Sequence, residues 1–222
     1  MKTIHNTAII APSIRLPESI EIGPFSIIYP GVILEEGVQI GSHCVIGKAP
    51  LAGKNQLPLA ELGTQTTIEA NTVIGDYVKI YSGCEIGSRV YIADRATIRE
   101  MSKIFEDVVI GLGVVLSYET VVGPRTKIMT NSNIGGGFEI GSDCFIGLHV
   151  VMFNDRNPHE KKESRSELGK AIIGNNVMIG SNATILPNIE ITQDSVIGAG
   201  SIISKSITEP GTYLMEKRIF KR

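Results

Sequence analysis

The stretch IEANTVIGDYVKIYSGCEIGSRVYIADRATIRE, residues 68–100, decides the fold, because an isoleucine stands at every sixth position: Ile68, Ile74, Ile80, Ile86, Ile92 and Ile98. A period of six is neither that of a helix nor that of an isolated amphipathic strand. It marks a chain that repeats one short strand and one turn. Outward from this stretch the column continues through Ile104, Ile110, Leu116, Val122, Ile128, Ile134, Ile140 and Ile146 to Met152 without a slip. Upstream it comprises Ile4, Ile10, Leu16, Ile22, Ile28, Leu34, Ile40 and Ile46. After a second gap it resumes at Ile173, Ile179, Ile185, Ile191, Ile197 and Ile203.

Three hexads close one triangular coil of about 18 residues, and coils stack as parallel strands about 4.8 Å apart. The column therefore predicts an all-β parallel β-helix of about nine to ten coils, a prism on the order of 45 Å long. Two residues before each column position the side chain is small or β-branched, as at Val38, Thr72, Ala96 and Ser132, and points into a narrow interior; Phe138 is the bulky exception. The residue after the column is often glycine (Gly23, Gly41, Gly75, Gly123, Gly141), which is expected to serve a corner with unusual dihedrals.

Composition agrees with this core: 24 Gly, no Trp, and six each of Phe and Tyr among 222 residues leave Ile, Val and small side chains to fill it. A net charge of −2 argues against a nucleic-acid partner. No apolar stretch is long enough for membrane insertion, and MKTIHNTAII lacks a signal-peptide pattern, so a cytoplasmic location is expected. Cys44, Cys84 and Cys144 all fall at the inward small-residue position and read as reduced core residues, with no zinc spacing.

Two segments break the register and should project as loops, near 48–65 (KAPLAGKNQLPLAELGTQ) and near 153–170 (FNDRNPHEKKESRSELGK). Loops leaving a rigid scaffold commonly carry specificity; the plain alternative is a tolerated surface insertion. Residues 1–204 form the repeat domain, and 205–222 leave the repeat as a capping tail over the last open coil. The basic end, Lys217, Arg218, Lys221 and Arg222, reads as solvated, with attraction of a phosphorylated cofactor as its alternative.

Residues 18 apart share a corner of adjacent coils. Asn131 and His149 are so related, both three places after a column residue, where side chains point outward. His149 is suited to act as general base and Asn131 to hold substrate or orient the ring; the plain alternative is two idle surface residues. His5 and His43 read as ordinary surface histidines, and His159 draws notice only from its place on the charged loop. In the final coils, Gly180, Ser181, Ala183, Gly198 and Ala199 set small residues beside the corners, where a pantetheine arm would find backbone groups within reach, unless corners simply require small residues.

These hexads resemble the left-handed β-helix acyltransferase superfamily, over nearly the whole chain. The opening IHNTAIIAPSIRLPESIEIGPFSIIYPGVILEEGVQIG is similar to sugar acyltransferases of lipid A synthesis and to nucleotide-sugar N-acetyltransferases. IADRATIRE (residues 92–100), KIMTNSNIG (127–135) and VMFNDRNP (151–158) resemble enzymes that acetylate amino-sugar nucleotides for surface polysaccharides, and IGSNATILPNIEI (179–191) resembles their acetyl-CoA stretch. The resemblance implies a left-handed coil, a homotrimer, acetyl-CoA as acyl donor, no metal, and a nucleotide-linked amino sugar as acceptor. It implies Asn131 at the sugar site, Asn154, Asp155 and Arg99 as substrate contacts, and Gly180, Ser181, Ala183, Gly198 and Ala199 as cofactor contacts. His149 has no histidine counterpart there, and EPGTYLMEKRIFKR replaces the Gly-Asn-Pro-Ala ending common in those enzymes.

Alternatives are acylation of a sugar hydroxyl and a non-catalytic scaffold. A γ-type carbonic anhydrase needs three convergent histidines, and no three of the four here share a place. An ice-binding solenoid needs outward threonine arrays, whereas Thr66, Thr72, Thr120 and Thr126 point inward.

Overall fold

The computed structural model describes residues 1–53, 57 and 65–214. Short parallel strands wind into three sheets that form the faces of a triangular prism. Sheet A runs from the strand Lys2–Ile4 to Thr212–Tyr213, sheet B from Ile9–Ile10 to Ile202–Ile203, and sheet C from Val32–Leu34 to Ile189–Ile191. The register is the sequence period: Lys2 pairs with Ile20, Tyr91 with Val109 and Lys127 with Phe145, each one coil on. The offset widens only at the insertions, where Ile46 pairs with Ile80 and Ile140 with Ile173. Both insertions leave sheet B and return in sheet C, so both emerge at the same edge of the prism. Residues 54–56 and 58–64 of the first expected loop, and the basic end after Leu214, lie outside the described residues.

The column residues form one continuous core. Ile46, Ile68, Ile92, Ile110, Ile128 and Ile146 are all fully buried, and from Ile20 onward the side chains two places before each column residue are buried too; in the first coil Lys2 is exposed and Ala8 and Ile14 are half-buried. Several hydroxyls among these inward side chains are satisfied by a repeating device, which the last coils lack: Ser195 Oγ and Ser201 Oγ are buried with no partner among the described residues. Thr72 Oγ1 donates to Gly87 O at 2.8 Å and accepts from Val90 N at 3.2 Å. Ser132 Oγ does the same with Gly147 O and Val150 N, at 2.8 and 3.1 Å. Because buried polar groups are costly unless bonded, this pairing explains why Ser and Thr are tolerated inside the prism. Cys44, Cys84 and Cys144 are free thiols in the same positions, with Sγ to Gly75 O, Arg99 O and Gly174 O at 3.0–3.1 Å. Burial pushes Cys44 up to about 11 and Cys84 up to about 12, and raises Cys144.

The corners differ from the sequence expectation in one respect. The left-handed backbone conformation falls three places after the column, as at Asn71, Arg89, Asp107, Asn131, His149 and Asn182, with φ between 55° and 59° in each, and one place after it only at Gly47 among the described residues. The glycine immediately after the column is required by close approach of coils: a Cβ on Gly23 would stand 2.7 Å from the Gly41 carbonyl carbon, and one on Gly123 2.6 Å from the carbonyl carbon of Gly141. At the C–A edge the left-handed residues pair along the prism axis, Arg89 with Asp107 and Arg125 with Asp143, each at 2.7 Å.

The tail also differs. Residues 204–214 do not leave the solenoid. Ile207 bridges to Ile191 and Tyr213 pairs with Ile197, so the chain makes most of one more turn. The spacing here is 16 residues instead of 18, which erases the six-residue period while preserving the rung. Sheet A consequently has eleven strands, one coil more than the column predicts.

Candidate active site

The A–B edge carries Asn131 and His149. Both are exposed, with φ of 57° and 55°, and both spend their backbone N–H on the coil before, to Leu112 O at 2.8 Å and Thr130 O at 3.0 Å. Their side chains remain available, and neither side chain has a hydrogen-bond partner among the described residues. Asn131 leans over Gly113, where a Cβ would stand 2.4 Å from Asn131 Oδ1. The two residues are stacked one rung apart but do not bond to each other.

The same edge further toward the N-terminus holds a ladder of rings. His43 is stacked between Phe25 and Tyr77, with centroids 4.9 Å apart on each side. His43 is a surface histidine, as the sequence suggests, and it occupies the same corner column as His149, several coils earlier. His5 bonds Thr7 Oγ1 at 2.9 Å, and His159 lies exposed on the second loop.

Toward the C-terminus the A–B edge carries the small residues of the final coils. Ala199 is exposed, while Gly180, Ser181 and Gly198 are partly so. Ala183 is fully buried, its side chain directed into the core. The N–H groups of Gly180 and Gly198 are engaged by Ile197 O and Tyr213 O at 2.8 Å, and Ser181 Oγ accepts Leu148 N at 3.2 Å. The glycines admit the next coil: a Cβ on Gly180 would stand 2.4 Å from Ala199 N.

Arg99, Asn154 and Asp155 lie instead at the B–C edge, one sheet away. Asn154 follows His149 by five residues, a reach of at most about 18 Å. Within one chain, then, the candidate residues occupy two edges. At the B–C edge Arg99 is committed to Glu100, Nε to Oε2 at 2.7 Å, and stacks its guanidinium over Tyr81 at 4.9 Å. Asn154 donates to Tyr118 Oη at 3.0 Å. Asp155 pairs with Lys162 at 2.8 Å, and this contact holds its carboxyl below the usual range.

Sequence reasoning missed the centre of this cluster. The Glu100 side chain is 1% exposed and is gripped by Arg165 as well as Arg99, with Arg165 Nη2 at 2.8 Å. Burial raises the Glu100 carboxyl, but the hydrogen bonds from the two arginines outweigh it and hold it below its ordinary value. Arg165 also lies 3.9 Å over the ring of Tyr118, whose hydroxyl burial pushes up. The signal available was the 18-residue spacing of Glu100, Tyr118, Gly136 and Asn154. Arg165 sits inside an insertion and has no such spacing. No group of three His, Cys, Asp or Glu among the described residues is arranged to hold a metal ion, and no helix among them is long and apolar enough to cross a membrane.

The architecture is that of a parallel β-solenoid with outward polar corners and a strapped edge. Residues 13–48, 65–100 and 170–205 match the family described as bacterial transferase hexapeptide (six repeats). The chain thus carries the hexapeptide repeat of this transferase family over just under half of its length. Among curated relatives it is similar to galactoside O-acetyltransferase of Escherichia coli (strain K12), 41% identical over 71 residues, covering 31% of this chain and 35% of the relative. It is similar also to the bifunctional protein GlmU of Methanococcus vannielii, 31% identical over 93 residues, covering 37% and 22%. The chain thus spans less than half the length of the curated relatives it matches. The fold matches that of LpxA from Acinetobacter baumannii, with a TM-score of 0.51 and 21% identity over 97% of this chain and 72% of that one. Arabidopsis UDP-N-acetylglucosamine acyltransferase gives 0.56 and 15% over 96% and 72%.

Proposed function

We propose that the protein is a CoA-dependent acyltransferase that moves an acetyl group from acetyl-CoA to the amino group of a nucleotide-linked amino sugar used in surface polysaccharide synthesis. The observation that carries this reading is the A–B edge, where Asn131 and His149 stand exposed, one rung apart and with side chains unpartnered among the described residues, with the small residues of the last coils on the same edge. Three copies packed side by side would bring the A–B edge of one chain to the B–C edge of its neighbour, uniting His149 and Asn131 with Asn154 and Arg99.

In this reading the neutral amine attacks the thioester carbonyl, the C–N bond forms, and the C–S bond breaks as the tetrahedral oxyanion collapses to release CoA thiolate. Asn131 donates to the oxyanion. His149 accepts the ammonium proton as the intermediate forms. Gly180, Ser181, Gly198 and Ala199 flank the pantetheine arm, and Ala183 contributes by keeping the coil beneath them narrow.

A second reading, acylation of a sugar hydroxyl, draws on the similarity to proteins named galactoside O-acetyltransferase. An alcohol is a poorer nucleophile, so it would depend far more on His149. Acyl transfer measured with acetyl-CoA against a panel of nucleotide amino sugars and simple sugars separates the two. Turnover confined to amino sugars supports the first; turnover confined to sugars without an amine replaces it with the second. Calorimetry showing no acetyl-CoA binding would refute both.

A further inference from the structure

The second insertion is pinned to the solenoid at both ends, and the pins lie far apart. Arg165 anchors it at Glu100, while Arg156 Nη2 reaches Ser204 O in the last full coil at 3.5 Å. Those contacts are five rungs apart, so the loop runs as a strap along about 24 Å of the B–C edge. Between its ends Asp155 and Lys162 close it on itself at 2.8 Å, and a turn at Arg165–Glu167 is capped by Ser164 and Glu167. Between the anchors the exposed stretch holds Asn157, His159, Glu160 and Lys161.

The N-terminal anchor is built to hold Arg165 in one orientation. Glu100 offers one carboxylate oxygen to it and the other to Arg99, and the Tyr118 ring supports the guanidinium from beneath at 3.9 Å. The opposite face of that ring rests on Gly136, where a Cβ would stand 2.4 Å from the ring. Tyr118 Oη then accepts from Asn154, at the root of the strap. A buried carboxylate that loses one of two cationic partners is left undercompensated, so the arrangement resists opening.

Resting on the acyltransferase reading above, we infer that Glu100, Arg165 and Tyr118 are positioning residues for acceptor binding. They hold the strap so that the hydrogen-bonding groups of its exposed stretch, Asn157, His159 and Lys161, meet the nucleotide-sugar acceptor, and Asp155 acts with them through Lys162 instead of touching substrate. The donor is not expected to depend on them, because the small residues assigned to it lie four to five rungs along the prism from the Glu100 anchor.

The test uses the full-length protein with Glu100→Gln, Arg165→Ala and Tyr118→Phe, the last preserving the ring while removing the hydroxyl. Steady-state kinetics with the best acceptor of the panel should show its KM raised about tenfold or more by the first two, with kcat and the acetyl-CoA KM within about twofold of wild type. Tyr118→Phe should give a smaller rise, and Arg165→Lys should restore part of what Arg165→Ala loses. Trypsin cleavage at Lys161 and Lys162 in the native protein, followed by mass spectrometry, should accelerate in the same order. A raised acetyl-CoA KM with an unchanged acceptor KM overturns the inference, as does faster strap cleavage with unchanged kinetics. If wild type acylates nothing in the panel, the acceptor role falls with the acyltransferase reading. The anchor is then judged by trypsin alone, and cleavage equal to wild type in all variants refutes it. Should Glu100→Gln fail to fold, Tyr118→Phe and Arg165→Lys carry the same comparison.

Discussion

The ring of Tyr118 lies flat against the backbone of Gly136, 18 residues on, so that a Cβ at Gly136 would stand 2.4 Å from Tyr118 Cζ. Gly136→Ala must therefore lift the ring, and with it both the support for Arg165 and the bond to Asn154. A cost of about 2–3 kcal/mol is expected, against about 1 kcal/mol for Tyr118→Phe, which deletes one hydrogen bond and keeps the packing. Urea unfolding of the two variants checks the ranking; equal values would mean that the ring has room to move.

Asn131 and His149 share a backbone conformation that L-residues rarely adopt and glycine adopts freely. Asn131→Gly and His149→Gly should consequently remove the side chains without lowering the melting temperature, whereas the alanine variants pay about 1 kcal/mol for the left-handed φ. Turnover should fall about 10²-fold for Asn131→Gly, the scale of losing one oxyanion donor. It should fall less for His149→Gly if the acceptor is an amine, since a neutral amine attacks unaided. Thermal melts and single-turnover kinetics on the four variants make the comparison.

Much of this was legible in the chain. The six-residue column gave three faces and their register because every inward Ile must meet the Ile one coil away. The same arithmetic placed the cysteines in the core and set Asn131 beside His149. It misassigned the corner, since the left-handed position, though rich in Asn, Asp and Gly, also holds Arg, His, Phe and Tyr, while the conspicuous glycine two places earlier serves coil contact. It lost the final rung because a spacing of 16 between Ile197 and Tyr213 still permits strand pairing. It overlooked Glu100 because acids also stand two places after the column at Glu36, Asp76, Asp94 and Glu106. Only the return of Arg165 from an insertion separates Glu100 from these, and a contact between a repeat and an insertion has no period.

The two kinds of corner glycine should respond differently to one methyl group. At Gly123 the added Cβ meets backbone of Gly141 and Ser142 at 2.6–2.8 Å, and neither can move without shifting a coil. At Gly200 nothing lies within 4 Å, and the obstacle is only a φ of 70°. Gly123→Ala should cost about 3 kcal/mol or more and Gly200→Ala about 1 kcal/mol. Chemical denaturation of both, read by far-ultraviolet circular dichroism, settles whether space or dihedral governs each site.

The buried thiols and Glu100 bound the pH range of stability from opposite sides. Each cysteine's folded pKa is raised, to about 11 at Cys44 and about 12 at Cys84. The unfolded chain therefore ionises first, and stability that is intact below the ordinary thiol value of about 9 declines as pH climbs through it toward the folded values. Glu100 is shifted the other way, so its contribution is present above its ordinary value and is lost as pH falls below it. Native protein at pH 8 should leave all three thiols unreactive toward Ellman's reagent, with full reaction only in denaturant. Replacing the three by alanine should flatten the alkaline limb of a melting-temperature profile and leave the acid limb unchanged, while Glu100→Gln should do the reverse. An alkaline limb that persists without the cysteines would place the titrating groups elsewhere.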